Sequence, residues 1–376
     1  MVTESAPRAP LIFEAARGQH VLSEGLAPIR RHALDRVRRG RLLLEDAVVS
    51  SSRSRPHPNG MDDSHAMDPK VTIRGETPAD LPAIADVHLR AFGEGGSGVS
   101  LIPALHRQRP GYDARLSLVA ERAGEVVGHV LYSPRRHRIA GETVLGVNLS
   151  PLGVRPSHQR TGIGGALVEA GDAVVRRLGY AFSTILGHEA YYPRFGYAPS
   201  AYGESRLSIP AGGLPSTAPL ETRAVLPDDA EALRALWLVE EGAVDMAMLP
   251  DETAACWFSP DPRVRCTVYL DGGEIVGYTR VASQEPGKAR QFLAADVGTA
   301  RRMAAQVACG GEVTLPLHPA SGSMPAFAGL ATPDAGARPY CLGRSFAPSP
   351  YDDYFAEVRR GERPAGRIVW PAEFDV

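Results

Sequence analysis

Residues Val144 to Leu178 read V-L-G-V-N-L-S-P-L-G-V-R-P-S-H-Q-R-T-G-I-G-G-A-L-V-E-A-G-D-A-V-V-R-R-L. Val144 to Val154 is rich in β-branched and apolar residues and predicts a strand, with Pro151 as a local interruption. Arg155-Pro156-Ser157-His158 is polar and carries a turn-forming proline. Farther on, Ala166, Leu167, Ala170, Ala173, Val174 and Leu178 recur at three- and four-residue spacing, which predicts a helix ended by Gly179. Between strand and helix lies Gln159-Arg160-Thr161-Gly162-Ile163-Gly164-Gly165. The glycines permit a tight turn and leave no side chain over the amides. The N–H groups of Arg160 to Gly165 then converge at a helix start that adds about half a positive charge. Such a loop is a cradle for a phosphate or pyrophosphate, with Arg155 and Arg160 flanking it.

The spacing excludes two common phosphate loops. No Gly-Lys-Ser/Thr follows, so it is not a Walker A loop. Leu167 stands where a dinucleotide fingerprint needs its third glycine or alanine. The pattern that fits is Gln/Arg-x-x-Gly-x-Gly/Ala after a strand, here Gln159, Arg160, Thr161, Gly162, Ile163 and Gly164. Downstream, Tyr191-Tyr192-Pro193-Arg194-Phe195-Gly196-Tyr197 keeps the register of an F-Y-x-x-x-G-F segment. In these two motifs the chain resembles the GCN5-related N-acetyltransferases, in their YhbS-like subset, over about Val71 to Ser208.

The resemblance implies an α/β (α+β) fold: a mixed, mostly antiparallel central sheet flanked by helices. It implies acetyl-CoA as co-substrate, with its pyrophosphate on Gln159, Arg160, Thr161, Gly162, Ile163, Gly164 and Gly165. Its pantetheine arm would pair with the backbone of Leu152, Gly153 and Val154. It implies Tyr192 as the general acid near the thioester sulfur, beside a reading in which Tyr191 and Tyr192 only pack the helix on the sheet. The expected reaction is acetyl transfer to a primary amine, of a small molecule or a protein, by direct attack in a ternary complex. An alkyl amine with a pKa near 10.4 is almost wholly protonated at neutral pH, so a base is useful. Glu189, His188 and Glu94 are the candidates; Glu189 is grouped with Tyr192, and a helix cap is its other reading. Two non-enzymatic classes stay open: a CoA-binding regulatory protein, and a tandem protein whose second half recruits a partner.

Around this stretch the pattern is that of a soluble chain of two or three domains. Lys70 to Arg74 predicts a first strand. Thr77-Pro78-Ala79-Asp80 opens a helix with Leu81, Ile84, Val87, His88 and Phe92 on one face. Gly93 to Ser100 reads as a flexible loop and Leu101 to Arg107 as a short helix. Leu116 to Glu121 and Val126 to Tyr132 read as a hairpin, with His129 on an open sheet face. A fifth strand covers Tyr180 to Leu186.

Residues 210–219 read as a linker between a domain at 67–209 and a C-terminal domain at 220–376. The pattern then restarts. Glu221 to Val225 is a strand, Pro227-Asp228-Asp229 opens a helix, and Arg265 to Leu270 and Glu274 to Val281 form a hairpin. Arg290 to Ala294 is a strand and Val297 to Ala308 a helix. Ala295-Asp296-Val297-Gly298 stands where the glycine loop would be, so a degenerate copy without a CoA loop is expected, against an unrelated α/β domain. Trp370-Pro371-Ala372-Glu373-Phe374 is expected to pack back on a domain.

A net charge of −2 implies no general affinity for nucleic acid or anionic membrane. No apolar run spans a bilayer and no signal peptide is evident. Cys256, Cys266, Cys309 and Cys341 form no C-x-x-C pair, so reduced thiols in a cytoplasmic protein and no metal are expected. Residues 1–66 form a basic, then serine-rich leader. It reads either as a nucleic-acid or targeting arm or, preferably, as an extension upstream of a working protein that begins near Met61 or Met67. An oligomer is compatible with all of this.

Overall fold

The computed structural model describes residues 71–214, 218–308, 311–372 and 375. The expectations for the leader, Lys70, the middle of the linker, Cys309 and Glu373-Phe374 lie outside them.

Strand β1 (Val71–Gly75) leads through a turn at Pro78–Asp80 into α1 (Leu81–Ala91). Asp80 accepts hydrogen bonds from Thr77 N and Oγ1 (2.7 and 2.8 Å) and pairs with Arg74, which ties the helix start to the strand. Ile84, Val87 and His88 are buried, whereas Leu81 and Phe92 are exposed, so the buried stripe of α1 is narrower than expected. The expected flexible loop at Gly93 to Ser100 is largely helix: after a turn at Gly93–Gly95, α2 runs over Gly96–Arg107. A Cβ on Gly96 would strike the Leu89 carbonyl, so glycine there serves the close contact of α1 and α2.

Strands β2 (Ser117–Arg122) and β3 (Glu125–Ile139) are joined through Ala123 and Gly124, both at positive φ. The sequence predicts β3 only to Tyr132. Its second half, Ser133 to Ile139, is rich in polar residues and shows no apolar alternation. It pairs with β4 (Glu142–Val154) and with a short strand from the second half of the chain. Helix α3 (Ile163–Arg177) follows the glycine loop. Gly179 (φ +81) and Tyr180 close it with N–H bonds back to Arg176 and Val175. Then come β5 (Phe182–Leu186) and β6 (Gly203–Pro210).

The second half supplies β7 (Glu221–Ala224), α4 (Ala230–Glu241), β8 (Met246–Met248), β9 (Val264–Asp271), β10 (Glu274–Ala282) and β11 (Ala289–Ala294). After these come α5 (Val297–Ala308), β12 (Glu312–Leu315), β13 (Asp334–Ala337), β14 (Cys341–Ser345) and α6 (Pro350–Arg360).

The main sheet has the order β1-β2-β3-β4-β5-β14, with β8 on the far end of β3. Among the described residues only β4 and β5 run parallel in this sheet. A second sheet has the order β11-β10-β9-β7, and a third β12-β6-β13. The second sheet repeats the β4-β3-β2-β1 order of the first. Arg223 grips Asp229 at the α4 start as Arg74 grips Asp80. Gly277 faces Met303 of α5 as Gly128 faces Leu167 of α3. Strands β8 and β14 come from beyond the linker and still join the first sheet, and Trp370 packs beside them while its carbonyl accepts from Arg280.

The core of the main sheet lies chiefly against α3: Leu118, Ala120, Val130, Tyr132, Val147 and Leu149 meet Leu167, Val168 and Val175. On the opposite face Ile84 and Val87 of α1 cover Val119 and Val126. The buried stripe of α3 is rotated from the expected one: Gly171 and Asp172 are inside, while Ala173 is exposed. Gly171 lets the Tyr132 ring lie on the helix, and Asp172 accepts from Tyr132 and Tyr197 and pairs with Arg344 of β14.

Candidate active site

The site is built where β4 leaves β5. These strands are paired only at Val147 with Ser183 and Asn148 with Thr184. Beyond that point β4 carries a bulge: Leu149 faces Tyr132 and Leu152 faces Val130, so Ser150 and Pro151 oppose Leu131 alone. The bulge turns the end of β4 away from β5. Gly153 lies opposite His129, and the Arg155 N–H donates to Val127. Antiparallel pairs alternate in bonding, so the backbone groups of Leu152 and Val154 face away from β3, along an edge that no strand pairs among the described residues. The Gln159 side chain donates to the Val154 carbonyl (3.0 Å), which leaves the two amides and the Leu152 carbonyl as the open groups of this edge.

At the end of this edge the loop is tied by Thr161 Oγ1 donating to the His158 carbonyl (2.7 Å). Arg160 (φ +62) and Gly162 (φ +86) are left-handed, and Gly162 caps α3. The first helical bond comes from Ala166 N to Gly162 O. The amides of Arg160, Thr161, Gly162, Ile163, Gly164 and Gly165 have no acceptor among the described residues. Ile163 is buried and anchors the helix, while Thr161, Gly162, Gly164 and Gly165 keep access to solvent. The loop therefore presents unpaired donors at the positive end of a fifteen-residue helix.

Two details differ from expectation. Arg155 is committed to Asp86 (3.0 Å) and Glu125, so of the two flanking arginines only Arg160 is exposed at the loop. Gly164 and Gly165 are helical; their missing Cβ atoms make room for the Tyr191 hydroxyl and the Phe195 ring, at 2.7 and 3.1 Å from where those atoms would be.

Tyr192 sits after β5 in a turn at Tyr192–Phe195. Its ring packs on Gly187 and Tyr197, and its side chain belongs to the buried cluster of the main sheet. Burial, then Tyr191, raises the Tyr192 pKa, so the phenol stays protonated. Its hydroxyl makes no hydrogen bond among the described residues. Glu189 and His188 are exposed on the turn before it, and Glu94 is exposed beyond α1. The Glu189 side chain caps nothing among the described residues; the amides of Tyr191 and Tyr192 bond to the His188 carbonyl instead.

His129 is not on an open face. It is fully buried in a chain of polar groups that sequence reading did not connect. Ser117 Oγ donates to Glu76 (2.5 Å), His129 contacts Ser117 (2.8 Å), and His88 contacts His129 (2.8 Å). Glu76 also accepts from Arg107 and Tyr112. Burial acts to raise its pKa, but those donors outweigh it and hold the carboxyl well below the usual range. The ionised Glu76 sets every proton: Ser117 gives its only one to Glu76, so it accepts from His129 Nε2, and His129 Nδ1 accepts from His88 Nε2. His88 Nδ1 is then a bare lone pair, facing Gly153 at 2.7 Å from where a Cβ would stand. Burial, then His129 and Arg107, pushes the His88 pKa down to about 2.

The second half has a helix start at the corresponding place, and it is already satisfied. Asp296 accepts from Thr299 N (2.9 Å) and Thr299 Oγ1 (2.8 Å). Among the described residues no cluster of His, Cys, Asp and Glu could hold a metal ion, and no helix is long and apolar enough to cross a membrane.

Residues 72–200 match the model of an acetyltransferase (GNAT) domain. The chain is 35% identical over 123 residues to the uncharacterized N-acetyltransferase YjhQ of Escherichia coli K12, covering 33% of this chain and 67% of that protein. It is 34% identical over 141 residues to the uncharacterized N-acetyltransferase YhbS of the same strain, covering 37% of this chain and 81% of that one. The chain belongs to the GNAT acetyltransferase family. Likeness in fold reaches beyond the matched segment. A GCN5-related N-acetyltransferase from Kribbella flavida superposes with a TM-score of 0.56 at 17% identity, over 73% of this chain and 72% of that one. In GNAT terms the bulged β4, the glycine loop and the Tyr191–Tyr197 segment all lie within the matched residues.

Proposed function

We propose that this chain transfers the acetyl group of acetyl-CoA to a primary amine by direct attack in a ternary complex. The observation that carries this reading is the set of unpaired amides from Arg160 to Gly165, continuous with the unpaired edge of β4. One holds a diphosphate, the other an extended arm with amide groups. Gln159 and Thr161 brace the loop, and Leu152 and Val154 turn their backbone groups to the edge, whereas Gly153, expected there too, turns its own toward His129 of β3. Acetyl-CoA supplies an activated thioester. The chain's part is to hold it in line and to manage two protons.

Tyr192, a phenol kept protonated by burial, is the proposed donor to the departing thiolate. Glu189, whose exposed carboxylate has no ion pair among the described residues, is the proposed acceptor of the amine proton. The second half repeats the strand order without an open loop, and we assign it no cofactor.

Free-thiol release from acetyl-CoA, measured against a panel of small amines and lysine peptides, tests the proposal. Tyr192→Phe should lower kcat by about 100-fold or more while CoA still binds. Binding of CoA with no thiol release on any amine would favour the regulatory reading; no binding at all would sink both.

A further inference from the structure

The adjacent tyrosines Tyr191 and Tyr192 face different ways, and the proposal above uses only one. Tyr192 packs down on Gly187 at the end of β5. Tyr191 is half-buried, and its hydroxyl stands over Gly164 at the start of α3. That hydroxyl makes no hydrogen bond among the described residues. Its ring is held on three sides: edge-on to Tyr192 (5.0 Å between centroids), tilted on Phe195 (5.2 Å), and under the Arg194 guanidinium (4.6 Å to the centroid). Arg194 Nε also donates to the Tyr191 carbonyl (3.3 Å). A phenol packed this way has little freedom to turn, yet its one polar atom lacks a partner. It ends beside Gly164, whose amide lacks one too.

Resting on the acetyl-CoA reading of this site, we propose that the Tyr191 hydroxyl is a further donor to the diphosphate of CoA, oriented by Arg194, and that Gly164 is glycine to admit it. Donors on two sides, the helix amides below and the phenol above, then close on the anion. The Arg194 charge, over the face of the ring, adds to the attraction at longer range, and the Glu169 carboxylate on α3 opposes it. A phenol donates to a phosphate oxygen without carrying charge itself, so the contribution depends on the diphosphate being present.

The test is calorimetric binding of CoA and of pantetheine, which has the same thiol arm and no diphosphate, to the full chain and its variants. Tyr191→Phe keeps the ring and its packing and removes only the hydroxyl. It should weaken CoA about tenfold and leave pantetheine unchanged. Gly164→Ala displaces the hydroxyl without removing it and should weaken CoA to a similar degree, again with no effect on pantetheine. The proposal is overturned if Tyr191→Phe leaves CoA binding unchanged, or weakens both ligands equally, as a merely structural roof would. Binding of CoA by a wild-type chain that releases no thiol would end the transferase reading while the Tyr191 comparison still decides this one. A wild-type chain that binds no CoA would end both.

Discussion

Gly153 shows how one missing methyl group couples two networks. A side chain at this position would lie 2.7 Å from the bare Nδ1 of His88, which Glu76 fixes through Ser117 and His129. The imidazole cannot retreat, because its other nitrogen is held by His129 in a fully buried site. Gly153→Ala should therefore overpack this face and destabilise the fold by about 1–3 kcal/mol. Chemical denaturation checks this, and the same change made with His88→Ala should cost less than the sum of the two. Additive costs would mean that the imidazole and β4 are not in register.

At the scale of elements, the end of α4 carries an ionisable liability. Glu240 and Glu241 are both buried, and Arg367 pairs with Glu241. Glu240 accepts instead from Ser323 N and Oγ. Burial, then Glu241, raises the Glu240 pKa to about 7 against the pull of Ser323 and Arg367. A carboxyl raised on folding binds its proton more tightly in the native state. Its stabilising contribution is complete below the ordinary carboxylate pKa and is lost as pH rises through about 7. Glu240→Gln, neutral at every pH, should match the wild type in Tm near pH 5 and exceed it by a few degrees near pH 8. A gap that is constant with pH would place the titration elsewhere.

For the whole molecule, β14 is the decisive strand. It pairs with β5 along Cys341 to Ser345 and delivers Arg344 to the buried Asp172. The sequence predicts a break at the 210–219 linker, but the strand that completes the first sheet comes from far beyond it. A chain ending at Tyr340 would leave β5 as an open edge and Asp172 without its cation. We expect it to be insoluble or to unfold at a temperature at least about 10 °C lower. A truncated chain with the wild-type melting temperature would contradict this.

The glycine loop, the helix after it and the hairpins were legible because each rests on local chemistry: positive φ at Gly162 and Gly124, a 3.6-residue period, a capping aspartate. The polar half of β3 was not, since the residues it buries, Ser133, Arg135 and His137, are polar and carry no apolar period. The site divided along the same line. The sequence by itself determined which amides stand unpaired at the start of α3, because exposed amides at a helix start follow from backbone conformation alone. Only the tertiary structure decided that Arg155 belongs to Asp86, that His129 is locked to Glu76, and that Tyr191 rather than Tyr192 reaches the loop. Those are choices of partner between residues far apart in the chain, and they are made by packing and by the cost of burying an unpaired polar group.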